Sequence, residues 1–268
     1  MGASSGITPP LRIWLIGGTS DSRQVAQLLS DRHIPWIATV VTPTARRLYQ
    51  TLPGTIHVGK LTPEQLPQWL RDQHITHILD ASHPFATEIS HQAIATGLPY
   101  LRYERPAINL APLTAQHPNI VAAPTWDDLF NQASQVQHTP KILLTTGLKT
   151  LNRAIPLLSQ AHWWARVLPR SRDAAIALGF PADRLLLERA PKTGTTEQHL
   201  WQTLGIDTVL TKASGHAGGL PHKIEAAIAL NTRLLIIQRP ALAYPQQTQH
   251  LERILDWLSA TPSGSTLD

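Results

Sequence analysis

The stretch Leu11-Arg12-Ile13-Trp14-Leu15-Ile16-Gly17-Gly18-Thr19-Ser20 is an apolar run that stops at a glycine pair. A helical pattern follows, with Val25, Leu28 and Leu29 on one face. Strand, glycine turn and helix together form a potential phosphate cradle. The first amides of a helix lack internal partners, the helix dipole makes that end partly positive, and glycine lets backbone come close. The full Gly-x-Gly-x-x-Gly pattern is absent, so a plain tight turn is the competing reading.

Outward from this stretch, apolar runs alternate with helix-period segments. Strands are expected at 12–16, 36–41, 55–58, 77–80 and 100–102, with helices at 20–32, 63–73 and 85–96 between them. Residues 104–124 break the rhythm with four prolines and read as a connection. Strands resume at 141–145, 163–167, 184–187, 208–211 and 233–237. Helices are expected at 126–135, 171–178, 195–204, 221–230 and 248–258, and the tail from Ser259 to Asp268 should fray. This alternation predicts an α/β protein with parallel sheets. The two halves are placed at residues 11–118 and 119–260, with a ligand cleft between them.

Composition limits the chemistry. The chain has 268 residues and no cysteine, which excludes disulfides, thiolate metal sites and cysteine nucleophiles. No apolar stretch reaches the ~20 residues of a membrane span, and Met1–Pro10 does not read as a secretory signal, so a cytoplasmic protein is expected. The net charge of +5 favours anionic partners, but the basic residues are scattered, which argues against nucleic acid. No tyrosine has a lysine four residues later, and no Gly-x-Ser-x-Gly elbow follows a strand, the one match, Gly2-Ala3-Ser4-Ser5-Gly6, lying ahead of the first apolar run. His74 and His77 lack the companions of a zinc site, and no metal is expected.

Ligands of open parallel sheets lie beyond the carboxyl ends of strands. After the second strand come Thr42, Arg46 and Arg47, with no acid to bind a ribose hydroxyl; this favours NADPH and leaves NADH open. After the fourth strand, Ser82 is placed to cap a helix starting near Pro84, and His83 to donate a proton or hydrogen bond. Arg102 and Arg105 flank Glu104, which suits an ion pair or a carboxylate clamp. In the second half Thr146-Gly147, Arg166 and the loop Lys212-Ala213-Ser214-Gly215 follow strands; a lysine, a hydroxyl and free amides make an anion site.

In this order the loops resemble the precorrin-6A reductase family of cobalamin biosynthesis, over about Leu11 to Pro240. The residues that carry the resemblance are Gly17-Gly18-Thr19, Asp80-Ala81-Ser82-His83-Pro84-Phe85-Ala86 with Ile89-Ser90, Arg105-Pro106, Thr146-Gly147, Arg166-Val167-Leu168-Pro169, Lys212-Ala213-Ser214-Gly215 and Arg239-Pro240. Ser82 stands where threonine is common, and Ala213 where an acid is frequent. The resemblance implies two Rossmann-like halves, with room for an exchanged strand, and hydride transfer from NADPH to a tetrapyrrole, precorrin-6A or its cobalt form. It places Gly17, Gly18, Thr19 and Ser20 at the pyrophosphate and Ser82 and His83 near the nicotinamide. Arg105, Thr146, Arg166, Lys212, Ser214 and Gly215 are assigned to the substrate. A monomer is favoured; the alternative is a non-catalytic dinucleotide sensor.

Overall fold

The computed structural model describes residues 10–134 and 139–260. Gln135, where the sequence ends one helix, the tail from 261 and the start before Pro10 lie outside the described residues. The elements run β1 Ile13–Ile16, α1 Ser20–Asp31, β2 Trp36–Val40, α2 Pro43–Arg46, β3 Thr55–Val58, α3 Leu66–Asp72, β4 His77–Asp80, α4 Thr87–Ile94 and β5 Tyr100–Tyr103. Then come α5 Ala111–Gln116, β6 Ile120–Ala123, α6 Trp126–Ser134, β7 Lys141–Leu144, α7 Leu151–Ala154, β8 His162–Val167 and α8 Arg172–Ala177. The chain continues with β9 Leu185–Leu187, α9 Gly194–Leu204, β10 Thr208–Lys212, α10 Leu220–Leu230, β11 Arg233–Ile237, β12 Gln247–Thr248 and α11 Arg253–Ala260.

These form two units. The first takes residues up to Pro106 and returns for those from Ala241; the second is Ala107–Pro240. The break therefore falls earlier than the expected 118–119, because Ile108, Leu110 and Leu113 pack into the second core. The closing helix belongs to the first unit, where Ile254 and Leu258 join the core around Leu15, Val25 and Leu29.

All sheet pairings are parallel. Read from one edge, the first sheet runs β3-β2-β1-β4-β5-β12 and the second β9-β8-β7-β10-β11-β6. Both follow the 3-2-1-4-5-6 order of dinucleotide folds. The sixth places depart from chain order: β12, which follows the second unit, completes the first sheet, and β6, the first strand of the second unit, completes the second. The sequence reading missed both of these strands, placing one in the proline-rich connection and the other in a helix from residue 248, and it also missed the short helices α2, α5 and α7. β1 shows why the first sheet is covered on both faces. Ile13 and Leu15 enter the core with α1 and α11, whereas Trp14 and Ile16 enter another with Leu66, Leu70 and Ala93.

Candidate functional site

In the first unit the strand order reverses between β1 and β4, and the loops after these strands meet. Thr19 caps α1: its hydroxyl accepts from the Ser22 amide, and Ser22 Oγ accepts from the Thr19 amide. The Thr19 hydroxyl also donates to the Ala81 carbonyl at 2.8 Å, which joins the two loops. Gly18 has φ of +101°, and a Cβ there would meet no protein atom within 4 Å. This exposed backbone suits the close approach of a phosphate.

The loop after β4 is held from beneath. Asp80, fully buried, accepts from the Ser82 amide at 2.9 Å, Ser90 Oγ at 2.5 Å and Tyr100 Oη at 2.7 Å. Arg102 pairs with Asp80 at 2.7 Å and Glu104 at 2.9 Å, and also donates to the hydroxyl and carbonyl of Ser82. Burial and the Asp80 charge push the Tyr100 phenol far up, so it remains a neutral donor. Of the two readings of Arg102 and Glu104, the ion pair is the one realised. Ser82 does not cap a helix, contrary to expectation: α4 begins at Thr87 after Ala86, which leaves Ser82 four residues ahead of the cap position, and its hydroxyl accepts from Arg102. His83 is exposed, and its Nδ1 accepts from the Phe85 amide at 3.2 Å, which puts the neutral ring's proton on Nε2.

Thr42 caps α2, and Arg46 is exposed just beyond β2. Arg105, expected at the substrate, belongs to the first unit: it donates to Ser20 Oγ at 3.2 Å and pairs with Asp21 at the start of α1. A cavity lined by Leu11, Ile34, Trp36, Pro53 and Ile75 opens at the amino ends of these strands and includes none of the loop residues just described.

The second unit repeats the plan, with its reversal between β7 and β10. Thr146 is buried after β7 and bonds Thr150, while Gly147 takes φ of +87°. Lys212 ends β10, with Nζ 5.6 Å from the centre of the Trp126 ring. Burial, reinforced by the Lys149 charge, lowers its pKa to about 8. Ser214 bonds back to the Lys212 carbonyl, and Gly215, with φ of +70°, begins the turn into α10.

Arg166 is differently placed from Lys212. It is buried and makes two bonds to Glu197, at 2.7 and 2.8 Å, with Nε 3.1 Å from Glu188. Glu197 also accepts from Trp201 and pairs with Lys223 at 3.4 Å. Burial alone would raise the Glu197 carboxyl; the Arg166 bonds and charge, with Lys223, hold it below its usual range. Lys223 then reaches the Gly218 and Gly219 carbonyls at 3.3 Å, so this buried network supports the glycine loop.

A family model described as precorrin-6x reductase CbiJ/CobK matches residues 12–259. The chain belongs to this family. The reductase is 38% identical over 251 residues to a cobalt-precorrin-6A reductase of Synechocystis sp., covering 90% of this chain and 94% of the relative. A cobalt-precorrin-6A reductase of Priestia megaterium is 33% identical, covering 87% and 92%. A precorrin-6A reductase of Rhodobacter capsulatus is 28% identical, covering 94% and 99%. The solved structure of a CobK precorrin-6A reductase superposes with a TM-score of 0.73 at 23% identity, covering 94% and 98%, and so shares the fold. Among the described residues no helix is long and apolar enough to cross a membrane.

Sequence reading missed several residues that shape these loops in the reductase, Ser22 and Tyr100 among them. Glu197 and Lys223 lie on helices, where a charged residue looks like part of a solvated face. Glu188 follows a short edge strand. Tyr49 lies two residues after Arg47 in no motif, yet its hydroxyl meets the glycine turn.

Proposed function

We propose that this reductase converts precorrin-6A, in its cobalt-bearing form, to the corresponding precorrin-6B, using NADPH. The observation that carries the reading is the first sheet's reversal point, where the Gly18 turn and the Ser82 loop are joined by one hydrogen bond. The donor set fits a dinucleotide: a glycine with open space above it, the start of α1, the hydroxyls of Ser20 and Ser82, and an arginine after β2 in place of an acid. The cobalt form is favoured by the names of the relatives at 38% and 33% identity.

In this reading Gly17, Gly18, Thr19 and Ser20 hold the pyrophosphate, and Thr42 and Arg46 the ribose phosphate. Ser82 and His83 orient the nicotinamide end. Arg102 and Asp80 act indirectly by fixing Ser82. Arg105, bonded to Ser20 and paired with Asp21, steadies the start of α1. When bound, the reduced nicotinamide supplies the hydride. Thr146, Lys212, Ser214 and Gly215 take carboxylates of the macrocycle, and Arg166 holds their loop through Glu197 and Lys223. Hydride transfer asks mainly for positioning and charge complementarity, which these residues provide without a covalent nucleophile.

Anaerobic incubation with cobalt-precorrin-6A and NADPH tests the proposal by absorbance and mass. The product should gain two hydrogens as NADPH is consumed. Consumption of NADH at the same kcat/KM would overturn the cofactor preference, and an unchanged macrocycle would overturn the reaction.

A further inference from the structure

Tyr49 is buried, at 2% exposure, and its hydroxyl is the hub of the glycine turn. The Gly18 amide donates to Tyr49 Oη at 3.0 Å, and Oη lies 2.6 Å from Ser22 Oγ. Ser22 Oγ itself donates to the Thr19 carbonyl, so the Tyr49 hydroxyl is the donor to Ser22. The result is one directed chain from Gly18 through Tyr49 and Ser22 to Thr19. A Cβ on Gly17 would collide with this same hydroxyl, so residue 17 must be glycine for Tyr49 to be seated here. Burial raises the phenol's pKa and keeps it protonated, as the chain requires.

The same side chain reaches a second part of the unit. Residues Arg47–Tyr49 form a helical turn that directly continues α2, which ends at Arg46. The ring packs at 6.0 Å against Trp36 of β2, a contact that does not involve the hydroxyl.

We infer that Tyr49 is a positioning residue for the cofactor, its hydroxyl setting the Gly17–Ser22 turn while its ring anchors the segment that carries Arg46. This inference rests on the reading that the first unit binds NADPH. Tyr49→Phe removes only the hydroxyl and leaves the ring packed. Loss of two hydrogen bonds at the turn should raise the Kd for NADPH about tenfold. Gly17→Ala should weaken NADPH further, and adding Tyr49→Phe to it should restore part of the affinity, because the colliding oxygen is gone.

The test is fluorescence titration of the full chain with NADPH for wild type, both single variants and the double variant. Melting temperatures and the tetrapyrrole KM are measured alongside. The inference expects a raised Kd for NADPH and an unchanged tetrapyrrole KM. Wild-type NADPH affinity in Tyr49→Phe would overturn it, and so would losses in the double variant that simply add. A parallel rise in the tetrapyrrole KM would mark general damage and also overturn it. Should Tyr49→Phe not fold, Ser22→Ala, which removes the hydroxyl's acceptor, carries the same expected loss. Failure of wild type to bind NADPH is a separate result and would overturn the cofactor reading instead.

Discussion

Burial and the neighbouring Lys149 bring Lys212 to about 8, within the range in which an enzyme is ordinarily assayed. In its proposed role the charged amine holds a carboxylate, and that charge is lost as pH climbs past about 8. The tetrapyrrole KM should therefore rise between about pH 7 and pH 9, and Lys212→Arg should flatten the rise, since arginine stays charged. Stability should move the other way. The unfolded chain binds more protons between about 8 and the ordinary 10.5, so folding gains across that window as pH rises. A KM profile identical in wild type and Lys212→Arg would remove Lys212 from carboxylate binding. Such single-residue properties were partly legible. Lys212 at a strand end reads correctly from sequence, but Arg166 and Arg102 do not separate from it by type. Arg166 meets Glu197, 31 residues away, and Arg102 meets Asp80, 22 away, and no local pattern encodes either pairing.

At the scale of elements, one carboxylate ties three of them together. Glu197 on α9 receives Arg166 from β8 and Lys223 from α10. Glu197→Gln keeps the shape but leaves buried Lys223 without its counter-charge and buried Arg166 with only the exposed Glu188. Breaking a buried pair of this kind costs about 3 kcal/mol, and urea unfolding should show a loss of that size. A variant as stable as wild type would mean that water already reaches the network. Most elements were legible, because period-2 and period-3.6 patterns survive in them: β3, β4 and β11 have the bounds the sequence predicts. β6 and β12 were not. β6 is four residues set between Pro118 and Pro124, and β12 is two. Each is a strand because of a distant neighbour, β11 for one and β5 for the other.

At the scale of the molecule, this strand order makes the first unit depend on the far end of the chain. Residues from Ala241 onward supply β12, the core residues Ile254 and Leu258, and Tyr244, which stacks on Tyr100 and lies 5.4 Å from the Arg102 guanidinium. A chain ended at Pro240 should lose NADPH binding. Hydrogen exchange should find protection lost across β1 to β5 and kept across β6 to β11, because Ala107–Pro240 contains every strand of the second sheet. Retained protection in β1 to β5 would show that the returning segment is dispensable.

The returning strand also fixes an order of assembly. On a ribosome β6 through β11 all emerge before β12, so the half begun second is ready first. Until β12 leaves the exit tunnel, the flank of β5 that it will cover has unpaired amides and carbonyls, a template for a neighbouring nascent chain. Assembly of this enzyme therefore runs against its own reading direction, and the flank of β5 waits longest for its cover.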